Sequence, residues 1–219
     1  MMVGGQPSQP VTAQEEGRHM QHKVETEVCD APLWAPPPRT VSFSYRQRTL
    51  YLRPWGLLAV MAFGGLYIAS ISVVWHGSVL DLIPGGLLFA GTVLFSVLAH
   101  ETGHAVAGVL NGHRCNGMCL GVGGQVYLEG TLEGRQLVII SAAGPLSGLL
   151  FDTSVIVATG VFGDLNPYWL AVGLSAYVCA INNVLNLLVP VSGDSDAKNL
   201  YRGIRETLTN KNTAAVPVE

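Results

Sequence analysis

Apolar residues are not spread evenly along this chain. From Met1 to about Arg53 the sequence is polar and proline-rich, whereas from Pro54 to Pro190 charges are scarce and apolar residues run in long blocks. Four blocks are long enough to cross a bilayer: Pro54–Trp75, Ile83–Leu110, Gln136–Phe162 and Tyr168–Val189. At about 1.5 Å per residue, about 20 helical residues span a hydrocarbon layer of about 30 Å, so each block predicts a transmembrane helix. Trp55, Trp75, Tyr168 and Trp169 stand near block ends, where amphipathic rings prefer the headgroup region. Between the second and third blocks, Cys119–Leu128 is apolar, glycine-rich and too short to cross as a helix. It predicts one or two short strands dipping toward the bilayer, the alternative being a flexible glycine-rich connector.

Composition agrees with a membrane protein. Of 219 residues, 49% are hydrophobic and 12% charged, and mean hydropathy is +0.37. The expected fold is an all-α polytopic membrane protein of about four transmembrane helices, with a short membrane-associated strand or hairpin after the second. Residues 1–45 are expected to be a disordered polar tail, 46–205 the membrane-embedded domain and 206–219 a flexible tail. No secretory signal is expected, so targeting falls to the first span. A net charge of −3, with no basic block interleaved with aromatics, argues against a nucleic-acid partner.

Loop charges set an expected orientation. Arg39, Arg46, Arg48 and Arg53 precede the first span, Arg114 and Arg135 lie between the second and third, and Lys198, Arg202, Arg205 and Lys211 follow the fourth. The short turns Trp75–Ile83 and Gly163–Pro167 carry no Lys or Arg, so both termini are expected in the cytosol. The cysteines Cys29, Cys115, Cys119 and Cys179 form no disulfide framework and are expected as thiols. His113, Cys115 and Cys119 lack an evident fourth metal ligand, and His19 and His22 read as incidental.

Within the second block lies His100-Glu101-Thr102-Gly103-His104. Residues four apart share a helical face, so both imidazoles can ligate one ion while Glu101 stays beside it as a base. Two histidines and a glutamate in an apolar span cost several kcal/mol without partners or a wet cavity, which favours a functional reading. A catalytic zinc needs a third protein ligand and an open position. The candidates are Asp152, Asp194 and Asp196. By the expected orientation Asp152 lies about 25 Å from the cytosolic end of its helix, too far from His100, and is expected to pair with Thr153, Ser154 or a neighbouring helix. Asp194 and Asp196 follow the fourth span at the level of the histidines, and one of them is expected to cap the helix beginning near Ala197.

The residues Ala99–Gly108, then Ala143-Gly-Pro-Leu146, then Asn186-Leu-Leu-Val-Pro190 followed by an aspartate, resemble the site-2 protease family of intramembrane zinc metalloproteases. The resemblance covers roughly Leu94 to Tyr201 and implies a three-helix catalytic core with one extra helix before it. It implies Zn²⁺ held by His100, His104 and Asp196, since Leu200 supplies the aliphatic residue four positions after the family's aspartate. It further implies Glu101 as catalytic base and Asn186 as a substrate-binding amide. Departures are Ala197 in place of a glycine, Val189 inserted before the proline, and Gly148 where many members carry asparagine. Asn182 and Asn183 are expected to serve helix contacts, and Gly144 and Pro145 to allow close approach and a local break in the third span.

The expected function is intramembrane zinc endopeptidase activity on peptide bonds in or near transmembrane segments, that is, regulated intramembrane proteolysis. Its substrate would be a transmembrane protein or peptide within the lipid bilayer, in a bacterial plasma membrane. Alternatives are a maturation peptidase for a small secreted peptide and an idle membrane scaffold or metal-binding protein. Glu101 argues against the last, because a mere metal binder needs no base.

Overall fold

A computed structural model describes residues 41–45, 48–121, 124–162, 166–190 and 195–214. Two strands, β1 (Val41–Tyr45) and β2 (Arg48–Leu52), precede helix α1 (Pro54–Ser72). A 3-10 turn at Val79–Leu82 leads into α2 (Ile83–Leu110), and β3 (Cys115–Leu120) and β4 (Gln125–Leu128) follow. Three further helices follow among the described residues: α3 (Gly134–Phe162), α4 (Pro167–Leu188) and α5 (Asp196–Ala214).

Local chemistry explains the helix ends. Proline opens α1 and α4, where a first-turn residue needs no N–H partner. The Asn166 side chain caps α4 by accepting from the backbone N–H groups of Tyr168 and Trp169, each at 3.0 Å. At the far end of α2, Gly112 takes a positive φ of 88° and turns the chain toward β3.

Among the described residues four helices are long and apolar enough to cross a membrane: Pro54–Ser72, Val79–Leu110, Gly134–Val161 and Pro167–Leu188. The chain is therefore a polytopic helical membrane protein. Its packing is that of a lipid-embedded bundle. Large side chains such as Leu58, Phe95, Leu150 and Val161 point outward, while Ala90, Ala171, Ser175 and Ala176 fill the interior. Small residues at helix contacts let backbones approach where lipid supplies no hydrophobic drive.

The strands form one sheet in the order β1-β2-β3-β4. β2 lies parallel to β3, and β3 pairs antiparallel with β4. The β3–β4 pair corresponds to the strands expected after α2. The β1–β2 hairpin was not expected, although Val41, Phe43 and Tyr45 alternate with Ser42 and Ser44 in the two-residue period of a strand. Val41–Tyr45 thus falls inside the stretch expected to be a disordered tail, and α5 continues past residue 205 to Ala214. Residues 1–40, with His19, His22 and Cys29, lie outside the described residues. Pro145 sits inside α3 without ending it, so the expected break in the third span is not seen.

Candidate metal centre

His100 and His104 project from one face of α2 with ring centroids 4.9 Å apart and their Nε2 atoms 3.2 Å apart. Each ring is anchored on its other side. His104 Nδ1 lies 2.7 Å from the carbonyl oxygen of Ile140 on α3, and His100 Nδ1 lies 2.7 Å from Oδ1 of Asn183 on α4. Both partners are acceptors, so both Nδ1 atoms carry the proton and donate it. In a ring that carries only that proton the Nε2 lone pair is free, and the two Nε2 atoms turn toward one point. Gly144 makes this crossing possible, because a Cβ there would fall on the His104 ring.

Asp196 reaches that point from the first turn of α5. Its Oδ2 lies 3.1 Å from His100 Nε2 and its Oδ1 lies 3.1 Å from His104 Nε2. Burial pushes the Asp196 carboxyl up, but in the metal-free site hydrogen bonds and charge from the protonated forms of His100 and His104 outweigh it and hold the group at about 2, below the usual 3.8. Ser195 is the residue that caps α5, accepting from the backbone N–H of Lys198 at 3.3 Å. The cap expected from an aspartate is thereby supplied by a neighbour, and the Asp196 carboxylate faces the imidazoles. Asp194 lies outside the described residues.

Three ligand atoms from His100, His104 and Asp196 lie within 4.8 Å of one another. Two converging lone pairs and a carboxylate repel unless a proton or a metal cation sits among them; protonating both rings would set two cationic Nε2–H groups 3.2 Å apart. Donors about 2.1 Å from a tetrahedral zinc would stand about 3.4 Å apart, close to the separations found here. The donor set therefore fits a divalent ion with a fourth place open.

Glu101 is 3% exposed, and its Oε1 lies 4.0 Å from His100 Nε2. Its carboxylate packs against Gly124, just before β4, where any Cβ would collide with it. Beside these groups opens a cleft of about 220 Å³ whose apolar wall includes Val60 and Phe63 of α1 and Phe89 and Val93 of α2. Asn182 and Asn186 of α4 line the cleft too, with His100 and Glu101 at its polar end. β4 ends the sheet order, and its outer edge pairs with no strand among the described residues.

Asn183 is the residue that sequence reasoning undervalued. It does make a helix contact, donating from Nδ2 to Asp152 Oδ2 at 2.8 Å, but it also holds His100. The signal lay in its spacing: Ala171, Ser175, Cys179 and Asn183 recur every four residues and are all buried, whereas Asn182 is exposed. Asp152 pairs with this neighbouring helix, as one of its expected alternatives held, and not with Thr153 or Ser154; the expected distance from His100 is corrected, since the Asn183 side chain alone stands between them. Among the described residues no second cluster of metal-binding type occurs, and Cys115, Cys119 and Cys179 are free thiols.

The family model described as Peptidase M50B-like matches residues 65–192, more than half of the chain. A solved structure, the site-2 protease from Methanocaldococcus jannaschii, shares this fold with a TM-score of 0.53 at 16% sequence identity. The likeness covers 77% of this chain and 73% of that one. No curated protein matches the chain in sequence.

Proposed function

This chain belongs to the Peptidase M50B-like family, and from that premise we propose that it is an intramembrane zinc endopeptidase cutting peptide bonds in or near transmembrane segments of other membrane proteins. The observation that carries the reading is the convergence of His100, His104 and Asp196 on one point, with Glu101 4.0 Å from His100 Nε2. Those three residues would hold Zn²⁺, which supplies Lewis acidity toward water and the peptide carbonyl. Glu101 then takes the proton of the attacking water and passes it to the leaving amine nitrogen as the C–N bond breaks.

The surroundings suit a peptide drawn from lipid. A helix hides its carbonyls in its own hydrogen bonds, so a substrate must be extended before attack. The open edge of β4, beside Gly124 and Glu101, offers backbone groups to an extended strand. Asn186 lines the cleft and would hydrogen-bond substrate backbone or the developing oxyanion. The apolar walls would accept substrate side chains that arrive from the bilayer.

Regulated proteolysis of membrane proteins, in a bacterial plasma membrane with both termini cytosolic, completes the reading. A test is to purify the chain in detergent, measure its metal, and co-express it with a tagged membrane substrate. Glu101→Gln should keep the ion and abolish cleavage. Parent protein free of stoichiometric metal would sink the reading.

A further inference from the structure

One polar chain in the bundle is not used by the mechanism above. Asp152 on α3 is 0% exposed, and its Oδ2 accepts from Asn183 Nδ2 at 2.8 Å. Asn183 Oδ1 in turn lies 2.7 Å from His100 Nδ1. Asn183 is itself 3% exposed, so neither side chain is placed there for water. A buried carboxyl in a lipid-spanning segment costs several kcal/mol, and an ordinary helix contact is made more cheaply by a small or apolar residue.

The order of the chain matters chemically. An amide can present either its oxygen or its NH₂ group to an imidazole, and the two choices demand opposite tautomers. With the NH₂ group toward His100, the ring would keep its proton on Nε2, and the Nε2 lone pair would be lost. A carboxylate oxygen only accepts, so Asp152 draws the NH₂ group to itself and turns Oδ1 toward His100. The imidazole proton is then held at Nδ1.

Gly148 provides the space for this arrangement. A Cβ at residue 148 would lie 2.5 Å from Asn183 Nδ2 and 2.8 Å from both its Cγ and its Oδ1. Even a methyl group on α3 would push the amide out of line between Asp152 and His100. Residues 148 and 152, one turn apart on α3, and residue 183 on α4 thus cooperate on one ring.

We propose that Asp152 and Asn183, seated against Gly148, form a relay of positioning residues that sets the His100 tautomer and so readies Nε2 for the metal ion. This rests on the metal reading of the site given above. Neither residue touches the substrate or the reacting atoms. Their effect is felt as metal affinity, in which outer partners of ligating histidines are worth about 10–100-fold.

The test uses the full chain in detergent, with Zn²⁺ and Co²⁺ alone as probes. Dissociation constants come from competition with a chelator, ligand geometry from the visible spectrum of the Co²⁺ form, and thermal stability from the metal-free protein. Asp152→Leu keeps the bulk but removes the acceptor. It should weaken metal binding by about 10–100-fold and alter the Co²⁺ spectrum while metal-free stability is kept or raised. Asp152→Asn, whose oxygen can still accept from Asn183, should rescue affinity to within about fivefold of the parent. Gly148→Ala should reproduce the loss.

Parental affinity in both Asp152→Leu and Gly148→Ala would overturn the relay. So would an affinity loss in Asp152→Leu that merely follows a loss of metal-free stability and is not rescued by Asp152→Asn. If Asp152→Leu does not fold, Gly148→Ala decides: weakened binding supports the relay and parental binding overturns it. A parent that takes up no metal would be a different failure, removing the metal centre itself and the relay with it.

Discussion

His104 Nδ1 lies 2.7 Å from the backbone carbonyl oxygen of Ile140, so the crossing of α2 and α3 fixes the orientation of one imidazole while Asn183 on α4 fixes the other. The carbonyl of Ile140 can only accept, which places the proton of His104 on Nδ1 and frees Nε2. Helix packing and ligand geometry are therefore one problem in this protein. A change that moves α3 by a few tenths of an ångström acts directly on how the two imidazoles converge.

Gly144 is the sharpest probe of that coupling. Gly144→Ala puts a methyl group where the His104 ring now sits. We expect a loss of about 1–3 kcal/mol in stability, together with a lower metal content. Thermal unfolding in detergent and elemental analysis check both, and full metal occupancy in the variant would contradict the coupling.

Glu101→Gln is expected to leave the protein folded and metal-loaded, because the glutamate is not among the three converging ligands. Proton transfer by a positioned base contributes about 10²–10⁴-fold, so cleavage of a co-expressed membrane substrate should fall by about that factor. Retained cleavage would remove Glu101 from its proposed role.

Asp196 carries a pH signature in the metal-free protein. Its carboxyl is held at about 2 in the fold against an ordinary 3.8. A group depressed in this way stabilises the folded state above its ordinary range and loses that contribution as pH falls through its folded value. Acid unfolding of metal-free parent should therefore show a loss of stability between about pH 4 and pH 2 that Asp196→Ala lacks. Metal retention by Asp196→Ala should fall by more than the about 10–100-fold typical of an outer partner.

Asn186 separates substrate binding from metal binding. It lines the cleft and makes no hydrogen bond to His100 or His104 among the described residues. Asn186→Ala should keep the ion and slow cleavage, by about 10²–10³-fold if its amide meets the developing oxyanion. An unchanged cleavage rate would leave Asn186 as a wall residue.

Much of this was legible in the residue order, for a physical reason. Membrane spans depend on runs of apolar residues, and the expected blocks Ile83–Leu110 and Tyr168–Val189 correspond to α2 and α4 within a residue or so at their ends. His100 and His104 share a face because the helical period puts them there. The β1–β2 hairpin was harder to see: its alternation is short, and Arg46, Gln47 and Arg48 made the segment resemble a solvated tail. Asn183 was harder still, since an asparagine in a span that ties helices together looks the same in sequence as one that steers an imidazole.

Local sequence alone determined the spans, the paired histidines and the glutamate beside them, because each depends on residues within one helix. The depth argument also brought the chain after the fourth span to the level of the histidines. Tertiary structure decided the rest: that the Asp196 carboxylate, which the resemblance pointed to, faces the two imidazoles while Ser195 caps its helix, and that Asn183, backed by Asp152, addresses His100. Those choices depend on how α3, α4 and α5 cross α2. A crossing is set by packing between distant segments, which no local pattern encodes.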